Sequence, residues 1–217
     1  MDPTSLRMIQ GASGTGGVAA IEFVASAQAG TAASTLTINK PAGVQSGDLL
    51  IALCGTKAGR TWTGDTGWTE VIDQGVAPST RVAYLIAGGS EPATYTFTSS
   101  SSDALSGVIA AFRYAAYDTI GTISTTATSG VQTAPAITLS TSSSAIFAFF
   151  ANSNSDRSWS NPTSGLVSTA SDSDTDAPSW ALYRELDLSS GSTGTRSATC
   201  SSTSGNSGCI LVGIKPA

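Results

Sequence analysis

Asp48-Leu49-Leu50-Ile51-Ala52-Leu53 returns as Ser144-Ala145-Ile146-Phe147-Ala148-Phe149, an offset of 96 residues from position 48 to position 144. Each is a short, unbroken apolar run, the pattern of a buried strand. The echo continues outward in the same order. Thr61-Trp62-Thr63 is answered by Ser158-Trp159-Ser160, and Thr66-Gly67-Trp68 by Ser164-Gly165-Leu166. Val82-Ala83-Tyr84-Leu85 matches Trp180-Ala181-Leu182-Tyr183, and Tyr95-Thr96-Phe97-Thr98-Ser99 matches Ala198-Thr199-Cys200-Ser201-Ser202. Ser106-Gly107-Val108-Ile109 ends the series against Ser207-Gly208-Cys209-Ile210, at an offset of 101 from position 106 to position 207. Loop insertions of a few residues produce such a drift.

From Ile21 onward the pattern is β. Runs rich in Val, Ile, Thr, Tyr and Phe are divided by Gly, Pro, Ser and Asp clusters at about the ~8–12 residue spacing of a sandwich or barrel. No amphipathic stretch of helix length separates the strands, which argues against parallel βαβ units. The expected fold is all-β, a jelly-roll-like antiparallel β-sandwich of residues 21–217. Its two sequence-related halves are about 21–117 and 118–217. Tandem sandwiches are the alternative. Interleaved strands are preferred because a half of ~100 residues would bury little by itself. Residues 1–20 form a short N-terminal arm, in which Pro3 to Gln10 precedes the Gly-rich tether Gly11-Ala12-Ser13-Gly14-Thr15-Gly16-Gly17.

Composition narrows the function. The chain of 217 residues contains 35 Ser and 29 Thr, only 12% charged residues and no His. Ten Lys and Arg against fifteen Asp and Glu leave no basic patch for nucleic acid. Without His there is no Ser-His-Asp or Cys-His pair and no imidazole metal site. No run reaches the ~18 apolar residues of a membrane span, and the opening Met1-Asp2-Pro3 lacks the apolar core of a signal peptide. The chain is therefore expected to be a non-enzyme with no cofactor, made in a cytoplasm. The Ser runs, Ser99 to Ser102 and Ser189 to Ser207, are expected as neutral surface loops.

The acidic residues offer little chemistry. Asp172-Ser173-Asp174-Thr175-Asp176 has the alternating acids that open a calcium loop, so Asp172, Asp174 and Asp176 are the candidate metal ligands. Ala177 and Tyr183 stand where such a loop needs Gly and Glu, and a solvated loop fits better. Glu22, Glu70, Glu91 and Glu185 are scattered, and no glycosidase-type pair can be nominated among them. Trp62 and Trp159 are the candidate glycan platform, because indole faces stack on sugar rings; core packing is the competing reading. Cys54, Cys200 and Cys209 read as reduced, buried thiols, with a Cys200–Cys209 pairing left open. Leu6, Met8 and Ile9 are the apolar residues of the arm and the candidate docking residues.

The stretch Thr35-Leu36-Thr37-Ile38-Asn39-Lys40-Pro41-Ala42-Gly43-Val44-Gln45-Ser46-Gly47-Asp48-Leu49-Leu50 resembles a pattern of tailed-bacteriophage and prophage virion β-sandwich structural proteins. Gly67-Trp68-Thr69, Arg81-Val82-Ala83-Tyr84 and Glu91-Pro92-Ala93-Thr94-Tyr95-Thr96-Phe97 continue it. The likeness covers the first half; the second joins it only through the echo. It implies a non-enzymatic protein of the virion, a capsid decoration or a neck or tail appendage subunit. Such a protein is released by lysis and is commonly a homo-oligomer. Residues 1–20 would dock it to other virion proteins. The alternative is an adhesin on the virion that binds host or environmental glycans.

Overall fold

The computed structural model describes residues 18–63, 66–127, 130–172 and 178–217. Every strand pairing in it is antiparallel. The first half contributes β1 (Glu22–Asn39), β2 (Leu49–Thr56), β3 (Trp62–Thr63), β4 (Thr69–Gln74), β5 (Ser79–Ile86) and β6 (Thr94–Arg113). The second contributes β7 (Ala115–Ile120), β8 (Ser124–Ala127), β9 (Val131–Ala134), β10 (Thr138–Leu139), β11 (Ser144–Asn152) and β12 (Trp159–Ser160). It continues through β13 (Val167–Asp172), β14 (Ser179–Leu188), β15 (Gly191–Ser192), β16 (Arg196–Cys200) and β17 (Asn206–Pro216).

The molecule is a β-sandwich, but its halves do not interleave as a jelly roll would have them. One sheet runs β1-β6-β2-β5-β4 and the other β7-β17-β11-β14-β13, so each half supplies a whole sheet. The strand order is the same in both. Each half covers its own outer face and shares its inner one, so neither half alone buries both faces of its central strand.

Alternation along the central strands builds this arrangement, since successive side chains in a strand point to opposite faces. Leu49, Ile51 and Leu53 of β2 face Phe147 and Phe149 of β11 in a central core drawn from both halves. Leu50, Ala52 and Cys54 point the other way, into an outer core with Leu36, Ile38, Phe97 and Trp62. Ile146, Ala148 and Phe150 do the same in the second half. The central strands are thus buried on both faces, which is why both read as unbroken apolar runs.

The outer core of the first half is closed by long strands. β1 pairs with the end of β6 along residues 22–33, then with its start along 35–39, with a register shift between Ala33 and Thr35. Ser99 to Ser102, expected as a surface loop, lies within β6; Ser99 is buried and pairs with Trp62. The same ribbon is broken into β7, β8 and β9 on one side and β16 and β17 on the other in the second half.

Backbone pairing also corrects the alignment of the halves. Ile51 stands opposite Tyr84, and its counterpart Phe147 stands opposite Arg184. Tyr84 therefore corresponds to Arg184, two residues beyond the match that the sequence echo implies. Leu53 stands opposite Val108 and Phe149 opposite Ile210, so Val108 corresponds to Ile210 rather than Cys209. The contacts between the sheets obey this correspondence. Tyr84 stacks on Tyr117 with centroids 4.9 Å apart, and Arg184 sits 4.4 Å over the ring of Phe23, the counterpart of Tyr117. Exchanging the halves, with β2 and β11 as counterparts, carries one contact onto the other, a pseudo-twofold relation like that of an isologous dimer.

Asp48 ties the turn before β2 to the end of β6. Its carboxylate accepts two bonds from Arg113, Nε to Oδ1 and a terminal nitrogen to Oδ2, both at 3.0 Å, and one from Gln45 N at 2.8 Å. Gly43 and Gly47, with φ of +78° and +91°, supply the left-handed turns that bring Asp48 to this position.

Phe147→Ala removes a ring that meets Phe112 edge-on at 4.4 Å in the shared core. It should cost about 3–5 kcal/mol in urea unfolding. A loss below about 1 kcal/mol would show that the sheets are not packed through this core.

Candidate functional site

The structure separates the two candidate glycan tryptophans. Trp62 is 2% exposed and belongs to the outer core of the first half, so its ring faces are not a platform. Pairing of β3 with β6 turns the indole inward. Trp159 is half-buried, 5.7 Å from the ring of Phe150, and forms one wall of a cavity of about 140 Å³. Arg157 stands beside it. Ser168 and Ser171 of β13 and Ala181 and Tyr183 of β14 complete the surround. Trp159 Nε1 and Arg157 Nε are both buried and have no hydrogen-bond partner among the described residues.

The acidic candidates are placed as follows. Asp172 ends β13 and borders this cavity. Asp174 and Asp176 lie outside the described residues, as do Leu6, Met8 and Ile9 of the arm. Among the described residues no group of three His, Cys, Asp or Glu side chains converges as a metal site would require.

The other carboxylates hold the fold. Glu70 pairs with Arg81 at 3.1 Å and Glu185 with Arg196 at 2.8 Å. Asp73 accepts the Trp62 amide at 2.8 Å. Glu91 accepts from Gly88 N at 2.6 Å and from the Tyr95 hydroxyl at 2.8 Å. Burial and the Glu91 carboxylate push the Tyr95 hydroxyl well above its ordinary range. Asp118 accepts from Ser140 N at 2.9 Å, with Lys215 at 3.8 Å.

The residues around the cavity other than Trp159, Asp172 and Tyr183 carried no signal in the sequence. Arg157 and the two serines belong to residue types abundant on any polar surface. The contrast that would have marked them, Arg81 against Ala181, was hidden because the echo set Arg81 against Ser179.

Cys54, Cys200 and Cys209 form no disulfide, and all three are buried. Burial pushes the Cys209 thiol up to about 12. Ellman's reagent at pH 8 should therefore leave the folded protein unreacted and titrate all three thiols only in denaturant. Fast reaction of a thiol in the folded protein would contradict this burial.

Comparison with protein-family models, curated proteins and solved structures finds no match to this chain.

Proposed function

We propose that the chain is a non-enzymatic structural protein of a phage virion, a capsid decoration or a neck or tail appendage subunit attached through residues 1–20. One observation carries the reading: the residues that bear the resemblance serve the scaffold. Gly43 and Gly47 set the turns, Asp48 anchors Arg113, and Leu36, Ile38, Tyr95 and Phe97 fill the outer core. A sandwich with three apolar cores and a weakly charged exterior suits a part that must persist outside a cell. Residues 1–20 are the natural attachment element, because they precede β1 in sequence and carry Leu6, Met8 and Ile9 on a Gly-rich tether. Repeated sites on a particle favour a homo-oligomer among virion partners.

A second reading, an adhesin that contacts host or environmental glycans, is favoured by the cavity beside Trp159. The two are compatible on one chain.

Deleting residues 1–20 tests the first reading. Circular dichroism and melting should be unchanged, because no core residue precedes Ile21 among the described residues. Incorporation into particles of the phage that encodes the chain should fall to background. Incorporation at the level of the full chain would overturn docking through the arm.

A further inference from the structure

The internal repeat supplies a control for the cavity beside Trp159. Register sets Arg81 against Ala181, Glu70 against Ser168 and Asp73 against Ser171, with a register shift at the same point in each edge strand. In the first half Arg81 is buried, 5% exposed, and pairs with Glu70. Asp73, opposite it, accepts the Trp62 amide. In the second half the guanidinium is replaced by a methyl group and both carboxylates by hydroxyls. The volume that a side chain occupies in one half is open in the other, and Trp159 is partly uncovered where Trp62 is sealed.

Substitution of this kind would normally let the walls collapse or leave a dry void. This cavity is polar instead. Arg157 Nε and Trp159 Nε1 are buried without a hydrogen-bond partner among the described residues, as Arg60 Nε and Trp62 Nε1 are in the first half, so the second half differs in having an open cavity beside them. Arg60, two residues before Trp62 as Arg157 is before Trp159, lies 3.5 Å from Asp103. Arg157 instead reaches a hydroxyl, Ser204 Oγ, at 3.4 Å. Buried donors without acceptors cost free energy, so an occupant rich in acceptor oxygens would satisfy them. The Ser168 and Ser171 hydroxyls can donate or accept, and the Trp159 and Tyr183 rings offer apolar faces. Burial holds the Tyr183 phenol protonated, so it too can donate or accept.

We infer that the Trp159 cavity is a binding subsite for one neutral pyranose ring of a glycan, opened in the second half by the loss of the Arg81–Glu70 filling. This inference rests on the adhesin reading and gives it a location. A neutral sugar fits better than an anion, because the lining carries the acidic Asp172 as well as Arg157. It fits better than a cation, because Ser168 stands where Glu70, the partner of Arg81, stands in the first half.

The test is ¹H–¹⁵N NMR of the full chain titrated with the methyl pyranosides of glucose, galactose, mannose and N-acetylglucosamine. The Trp159 indole N–H signal, assigned by its disappearance in Trp159→Phe, should shift and saturate with at least one of them, with Kd near ~1 mM. The signals of Trp62 and Trp180, both sealed in cores, should stay. By saturation-transfer difference, Trp159→Phe should weaken binding about tenfold, through loss of one hydrogen bond. Writing the first-half set into the second, Ser168→Glu with Ser171→Asp and Ala181→Arg, should abolish binding. No Trp159 shift with any of the four sugars would overturn the subsite, as would undiminished binding by Trp159→Phe. If the whole protein still bound bacterial envelope polysaccharide without a Trp159 shift, the adhesin reading would stand and this cavity would be excluded from it.

Discussion

Burial of β2 and β11 on both faces is the constraint from which the rest of the molecule follows. A strand whose every side chain is apolar needs two cores, one for each face. Here the inner faces satisfy each other across the central core, through Leu49, Ile51 and Leu53 on one side and Phe147 and Phe149 on the other. The outer faces need covers, and each half makes its own from the ribbon that flanks its sheet. That division explains why the halves remain distinct in strand order yet share a core. The edge contacts are then consequences of the pseudo-twofold relation, with Tyr84 on Tyr117 at one side and Arg184 over Phe23 at the other.

Symmetry of the scaffold also makes asymmetry informative. The two halves keep the same bulge in the edge strand and the same Thr/Ser-Trp-Thr/Ser frame, so differences between them are localised changes on a common frame. Filling in the first half is ionic, with Arg81 held by Glu70; the second half has small residues in the corresponding places. On this view the first half is the more purely structural unit, and the second carries the feature suited to contact. Attachment through an N-terminal arm and contact through the second half would use different parts of the same chain.

Much of the fold was legible from the residues. The two apolar runs beginning at Asp48 and Ser144 identified the central strands, and the ordered echo identified two halves. What was not legible was how the halves combine, since alternation along a strand shows that both faces are buried but not what covers each. Matching Ser-Gly at 106–107 with Ser-Gly at 207–208 aligned identical small residues, while the ladder aligns faces, placing Val108 with Ile210. Ser99 to Ser102 read as a loop because four serines carry no apolar signal; tertiary pairing with β1 and β3 overrides that local preference. Of the candidate site, Trp159 was found by its frame, whereas Trp62 has the same frame and is sealed. The register sets Arg81 against Ala181, a difference between the halves that neither tryptophan's own segment reveals.

The central claim is that the shared core makes the two halves one cooperative unit, although each has an outer core of its own. Differential scanning calorimetry of the full chain tests it most directly. The account predicts a single transition whose calorimetric and van't Hoff enthalpies agree. Two resolved transitions, each with about half the total enthalpy, would contradict it and show that the halves are tandem domains in contact.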